Sequence, residues 1–393
     1  ASGYAQQKGK VLKFAVNGDP LRRTDVFDFY DRLDLYVFEH EWFPEWMRDP
    51  NRFVSEAGYP VTAKMKYAQT LGKPAVTMPY GGGDTKWFNA ASAKSGTAMM
   101  LHQFAEAYAN LGYYQYFDLD YIGFKFTPDH TSLKAYHRFI REHPEAFKDL
   151  RSYAEVALLR QGRVPLEDQG GLDTVEGFSR ILGEANIPHD VVGIDSIGRY
   201  RAVLAGGFQW TDGDVDKMLS FARGGGTFVA TDSRFASKDE SDRDVNRPSL
   251  GPLKTEGEHI LGSGRFVFFT DDLWWKIWAE WDRAAAEKVL GTIRQVAAPN
   301  TAPPRVQLLP YTGPDGRLVV HILNYDFSGG DFARKENFEA KVHLPPGFSA
   351  SGKTLTLSSP DFTGNQTLPF KQEGNVLAFT VPSLYIWDVA VLK

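Results

Sequence analysis

The chain has no cysteine in its 393 residues, which excludes disulfides, thiolate zinc sites and a cysteine nucleophile. Exported and cytosolic proteins alike can lack cysteine, so the compartment stays open, with secretion or a periplasmic location slightly favoured. Positive charge is not in excess either. Lys and Arg number 44 against 49 Asp and Glu, giving a formal net charge of -5 and a pI near 6.0. No basic field is available to hold phosphates, and nucleic acid is not expected as a partner. No run of 18 apolar residues occurs, the length a membrane-crossing helix needs. Residues 1–10, ASGYAQQKGK, lack the apolar middle of a signal peptide, although processing can remove one. There is no G-x-S-x-G for a serine hydrolase. The nine histidines are scattered, and His40-Glu41 is not followed by a second histidine at zincin spacing. No metal and no cofactor are therefore expected.

What is present is the composition of an ordinary globular protein, 42% hydrophobic and 24% charged, long enough for two or three domains. The one unusual feature is an aromatic content of 14% with nine tryptophans. Such rings serve as stacking platforms for sugars, but a large core uses them too.

Texture changes along the chain. From 11 to about 150, the strand-like runs VLKFAV (11–16), DLYVFEH (34–40), PAVTMPY (74–80) and YYQYFDLD (113–120) alternate with helical stretches. The longest of these is 92–112, with Gly112 expected at its C-cap. Alternation of this kind predicts parallel βα units. Only four units fit where a (β/α)8 barrel needs eight, so the expectation is a C-terminal half barrel over 1–151. Its partner half would lie on another chain or a removed segment. From 152 to 300 the alternation resumes at a different spacing. VALLR (156–160), YRAVLAGG (200–207), GGTFVATD (225–232) and GRFVFFTDD (264–272) read as strands, with helices at 211–225 and 274–296. The first of those helices has Thr211 as its cap and Gly224 as its stop. RGGGTF (223–228) follows a helix and precedes a strand, the reverse of a phosphate loop, and reads as that stop. A polar stretch at 237–258 reads as a solvated loop or flap. After the proline-bearing linker QVAAPNTAPPR (295–305) the pattern is all β, predicting a β-sandwich over 304–393.

Glycosidic hydrolysis needs two carboxyl groups, one to protonate the departing oxygen and one to attack or activate water. In barrel enzymes they stand at the C-terminal ends of strands. Glu39 and Glu41 end the second strand here, and Asp118 and Asp120 end the fourth. Period-two alternation puts each pair on one face. Between them PYGGGDTKW (79–87) ends the third strand, its glycines allowing close backbone approach and Trp87 offering a stacking ring. Any one of these acids alone is more often a helix cap. Three consecutive strand ends with such residues favour a site.

The order of motifs resembles the second half of the catalytic barrel in the dextranase and cycloisomaltooligosaccharide glucanotransferase family of glycoside hydrolases. The resemblance rests on FAVNG (14–18), on Asp34 and Glu39 in an Asp-x-x-x-x-Glu spacing followed by Trp42, on PYGGG and the alanine-rich helix after it, and on SSPDF (358–362) and VPSLYIWDVAVL (381–392) near the end. It implies that Glu39 is the general acid/base, with Glu41 as supporting carboxylate or runner-up. The family's nucleophilic aspartate would fall before residue 1. The middle segment resembles instead the amidotransferase-like domain of family 42 β-galactosidases, which serves in subunit contacts. Without cysteine it is expected to be structural, and a homo-oligomer is compatible with it.

The expectation is therefore a carbohydrate-active enzyme, or a fragment or subunit of one, whose partner is a glycan. Its sugar contacts are Tyr80, Trp87, Tyr114 and Tyr116, with His40 and Trp42 beside the acid. The rival is a non-catalytic carbohydrate-binding or scaffold protein. Trp274, Trp275, Trp278 and Trp281 fall at helical spacing, which favours packing over sugar stacking.

Overall fold

The computed structural model describes residues 8, 13, 15–17, 33–41, 61–80, 93–115, 129–160, 169–328 and 330–393. Three bodies of sheet are present. The first is parallel, with β1 (Ala15–Asn17), β2 (Leu35–Glu41), β3 (Ala75–Tyr80) and β4 (Tyr113–Tyr114) side by side in chain order. The helices α1 (Thr62–Thr70), α2 (Ala93–Ala109) and α3 (His130–Glu142) follow these strands. Strand register explains the burial pattern. Tyr36 pairs with Ala75 and Phe38 with Thr77, which pairs in turn with Tyr114; paired residues share a face. That face is closed, with Tyr36 and Phe38 at 1% and 0% exposure in one core with residues of α1 and α2. Of the opposite parity, Leu35, Val37 and Val76 are half-buried and Met78 is buried. Among the described residues this sheet has four strands and no closed barrel.

Helix α2 ends differently from the expectation. The left-handed residue is Leu111, at φ 56°, and Gly112 has another task. A Cβ at 112 would lie 2.1 Å from Met65 Sδ, so the glycine lets α1 approach the turn. Helix α3 is capped as its sequence demands, Asp129 accepting from the Thr131 amide at 2.9 Å. It buries Leu133, Tyr136 and Phe139 on one stripe.

The second sheet contains β5 (Val156–Leu159), β6 (His189–Val192), β7 (Ala202–Ala205), β8 (Thr227–Ala230), β9 (Gly257–Leu261) and β10 (Gly264–Phe268), ordered β6-β5-β7-β8-β10-β9. Only the edge strand β9 is antiparallel to its neighbour. The helices α4 (Gln169–Glu184), α5 (Asp212–Arg223) and α6 (Arg283–Arg294) complete three layers. One core lies under α4 and α6, the other under α5. Burial on both faces is why these strands read as continuous apolar runs. Thr211 caps α5 as expected, its Oγ1 accepting from the Asp214 amide at 3.1 Å, and Gly224 closes it.

The stretch 274–296 is not one helix. A short turn at Leu273–Trp275 runs into a π-helical segment at Lys276–Glu280. Trp281 then turns left-handed at φ 61°. Asp282 restarts the chain as α6, accepting from the Ala284 and Ala285 amides at 2.8 and 3.1 Å. An aspartate with two free amides ahead of it is a strong N-cap, and the left-handed tryptophan is held by the Arg180 guanidinium 3.5 Å above its ring.

The last body pairs a five-stranded with a three-stranded antiparallel sheet. β11 (Val306–Thr312), β12 (Leu318–Asn324), β16 (Leu355–Ser358), β17 (Gln366–Leu368) and β20 (Trp387–Leu392) form the first, ordered β11-β12-β20-β16-β17. β15 (Lys335–His343), β18 (Phe370–Glu373) and β19 (Val376–Leu384) form the second. A two-stranded hairpin, β13 (Phe327–Ser328) with β14 (Asp331–Phe332), stands beside them. One face of the larger sheet, with Leu318, Val320, Ile322, Ala390 and Leu392, packs on the smaller sheet. Its other face, with Val319, Leu323, Trp387 and Val389, shares a core with α2 and α3. Trp387 is fully buried, with Phe139 and Phe147 at 5.3 and 5.7 Å between ring centroids. Each such pair adds about 1 kcal/mol beyond area burial. Among the described residues no helix is long and apolar enough to cross a membrane.

Candidate functional site

The C-terminal ends of β2 and β3 lie level. Glu39 pairs with Met78, His40 with Pro79 and Glu41 with Tyr80. Adjacent strands stand about 4.8 Å apart, so positions 41 and 80 are immediate neighbours on the rim of the sheet. Positions 39 and 41 carry the parity of Leu35 and Val37, the half-buried series. Position 40 carries that of Tyr36 and Phe38, whose side chains are packed against the helices. Asn17 ends β1 two rows lower, paired with Val37. The β3–β4 pairing runs one residue past the last strand residue, with the Gln115 amide donating to Thr77 O at 2.9 Å.

Of the sugar contacts expected from the sequence, Tyr114 is placed in full. It is 6% exposed and its ring lies 5.6 Å from Phe104 of α2, on the helix-covered face. Its half-exposed neighbour Tyr113 sits at the start of β4, against Tyr108 at 6.0 Å, at the end of the sheet remote from Glu41. Trp42, Trp87, Tyr116, Asp118 and Asp120 lie outside the described residues. The structure thus brings Glu39, His40, Glu41 and Tyr80 to one rim by backbone register. Among the described residues no three His, Asp or Glu side chains cluster as metal ligands would.

The helix layer that packs on this sheet contains a carboxyl with no counterpart in the sequence motifs. Glu106 of α2 is fully buried, and its Oε1 accepts from the Thr62 hydroxyl at 2.9 Å, at the start of α1. Burial pushes its pKa up to about 8, so at neutral pH it holds a proton. The signal in the sequence was faint, a lone Glu in the apolar run FAEAYA.

Neither protein-family models nor curated protein sequences match the chain. Solved structures do. α-L-Fucosidase isoenzyme 2 from Paenibacillus thiaminolyticus superposes at TM-score 0.61 with 15% identity, over 94% of this chain and 66% of that one. The fold is glycosidase-like. A catalytic mutant of a GH42 β-galactosidase from G. stearothermophilus superposes at 0.58 with 12% identity, over 99% of this chain and 64% of that one. A rhamnosidase from Novosphingobium sp. PP1Y superposes at 0.56 with 13% identity, over 100% of this chain and 37% of that one. The chain thus spans less than two thirds of the length of each of these glycosidases. These neighbours are glycosidases of different kinds, and the likeness does not single out the dextranase and cycloisomaltooligosaccharide glucanotransferase family.

Proposed function

We propose that the chain is a glycoside hydrolase, or a fragment or subunit of one, acting on an oligosaccharide or polysaccharide with Glu39 as the general acid/base. The observation that carries this reading is the level rim of a parallel sheet on which Glu39, Glu41 and Tyr80 end adjacent strands in register, within a glycosidase-like fold. Functional groups of such sheets gather at the C-terminal edges of the strands. In this reading residues 1–151 carry the catalytic sheet, 152–300 a structural α/β domain and 304–393 the sandwich. Glu39 protonates the departing glycosidic oxygen, and Glu41 beside it raises its pKa by like-charge repulsion. The facing carboxylate is Asp118, Asp120 or a group outside these 393 residues, at about 5 Å for retention and farther for inversion. Tyr80, Trp87 and Tyr116 stack on or hydrogen-bond the sugar, flanked by Trp42, while position 40 has the helix-facing parity.

The test is a panel of aryl glycosides and oligosaccharides with the wild type, Glu39→Gln and Trp87→Ala. Hydrolysis lost in Glu39→Gln with glycan binding retained supports the enzyme. A glycan bound but never cleaved by the wild type, with binding unchanged in Glu39→Gln and lost in Trp87→Ala, gives the chain to the alternative, a non-catalytic carbohydrate-binding protein.

A further inference from the structure

A cleft lies between α1 of the first body and the edge of the second sheet, beside Tyr311 of the sandwich strand β11. It measures about 400 Å³, and its lining includes Lys66 and Lys73 from α1 and the turn after it. Asp149 and Arg151 come from the segment leading into β5, Asp190 from β6, and Arg199 from the 3-10 turn that follows. The elements around it are firmly joined. Thr70 Oγ1 donates to Val191 O at 2.6 Å, and Arg151 and Thr312 exchange backbone hydrogen bonds at 2.9 and 3.0 Å.

Charge in this cleft is unbalanced, with four cations against two carboxylates. Asp190 is already engaged, its Oδ2 accepting from Arg199 Nη2 at 2.7 Å and from the Tyr200 hydroxyl at 3.0 Å. Lys73 donates to Leu33 O at 2.6 Å. Lys66 is different: it is 4% exposed, and among the described residues its ammonium has no hydrogen bond or ion pair. Its nearest aromatic neighbour is Tyr311, with the ring centroid 5.9 Å away, the outer limit of cation–π attraction. Burial pulls its pKa down, opposed only by the Asp190 charge. His189 behind it offers no help. Both its ring nitrogens are engaged, by Ser179 Oγ at 2.9 Å and Ile187 O at 3.1 Å. An ammonium on so buried a side chain is poorly solvated unless it is paired, and a cleft lined by further cations does not lessen that cost.

We propose that this cleft is a binding site for a small oxyanion, a carboxylate, sulfate or phosphate group, with Lys66 as the buried anchor and Arg151 at the mouth. The group places its oxygens against the ammonium that lacks a partner, in a cleft of the size small-molecule sites have. Because the site is built from α1, the approach to β5 and the edge of the second sheet, an occupied cleft ties the first body to the second. Nothing in it depends on the role of Glu39.

The experiment is thermal unfolding of the whole chain in sodium sulfate, phosphate and acetate, each against sodium chloride at equal ionic strength. A saturable rise in Tm with at least one oxyanion, beyond the chloride control, is expected. Lys66→Met removes that rise, and its Tm in chloride is unchanged or higher. Arg151→Gln, a change at an exposed side chain that keeps the backbone pairing with Thr312, weakens the apparent affinity at least several-fold. The proposal is overturned if no oxyanion exceeds chloride with the wild type, or if the rise persists in Lys66→Met. Should Lys66→Met not fold, an undiminished rise in Arg151→Gln overturns it. A preference for sulfate and phosphate over acetate assigns a tetrahedral group, and the reverse assigns a carboxylate.

Discussion

The hydroxyl of Tyr136 on α3 donates to Asp361 Oδ1 at 2.7 Å, across 225 residues of sequence. The other oxygen of the same carboxylate accepts from the backbone amides of Ile386 and Trp387 at 3.0 and 3.1 Å. Ser359 adds a bond to Trp387 O at 2.6 Å. The SSPDF turn is thus the clasp that holds the sandwich against the helices beneath the first sheet.

Asp361→Ala leaves one buried hydroxyl and two backbone amides without an acceptor, at about 1–3 kcal/mol for each donor that water cannot reach. A loss of about 3 kcal/mol is expected, and about 1 kcal/mol for Tyr136→Phe. Urea midpoints at constant m-value measure both.

Glu106 makes stability depend on pH. Its folded pKa is raised from the ordinary 4.5 to about 8, so between those values the folded state binds a proton that the unfolded chain has released. Stability from this group is therefore full below about pH 4.5 and falls as pH rises, by up to about 1.4 kcal/mol per unit, until about pH 8. Glu106→Gln removes this contribution to the slope. Glu184, also pushed up to about 8 by burial, is present in both proteins and cancels in the difference. Urea unfolding of the pair at pH 5, 6, 7 and 8 tests it; parallel curves would refute the assignment.

Gly112→Ala drives a methyl group to 2.1 Å from Met65 Sδ, and the expected cost of that overpacking is about 1–3 kcal/mol. Because the severe clash is with one flexible side chain, the Ala75 carbonyl oxygen being a tight contact at 3.2 Å, Gly112→Ala with Met65→Ala is expected to cost less than the sum of the single changes. Thermal unfolding of the three variants closes the cycle.

For the proposed acid, the leaving group is the sharper probe. Glu39→Gln is expected to lower kcat/KM by about 10²- to 10⁴-fold on a substrate with an alkyl leaving group. The loss shrinks on an aryl glycoside whose phenolate departs without a proton. An equal loss on both substrates would make Glu39 a binding residue instead.

The strands were legible where short runs are rich in β-branched and aromatic residues. LYVFEHE and AVTMPY are such runs, and they form β2 and β3 at nearly the expected bounds. The strand β6 was missed because HDVV is four residues long with two polar ones, and it is held by its place on the edge of the second sheet. The rim at Glu39 and Glu41 was visible as acids behind an apolar run. The buried Glu106 was not, because an isolated glutamate in a helix looks solvated until a second helix closes over it.

What the amino-acid sequence determined by itself is local: where most strands and helices run, that Thr211 caps a helix, and that the chain changes from alternating α/β to all β near residue 304. Those features depend on spacing and on hydrogen bonds between near neighbours. Only the tertiary structure decided that Leu111 and not Gly112 turns left-handed, that the helix after Trp274 breaks at Trp281, and that the larger sandwich sheet is buried on both faces. It alone brings Lys66, Arg151 and Asp190 to one cleft. Those outcomes depend on which surfaces meet, and packing between distant segments overrides local preference wherever a close approach or a buried charge is at stake.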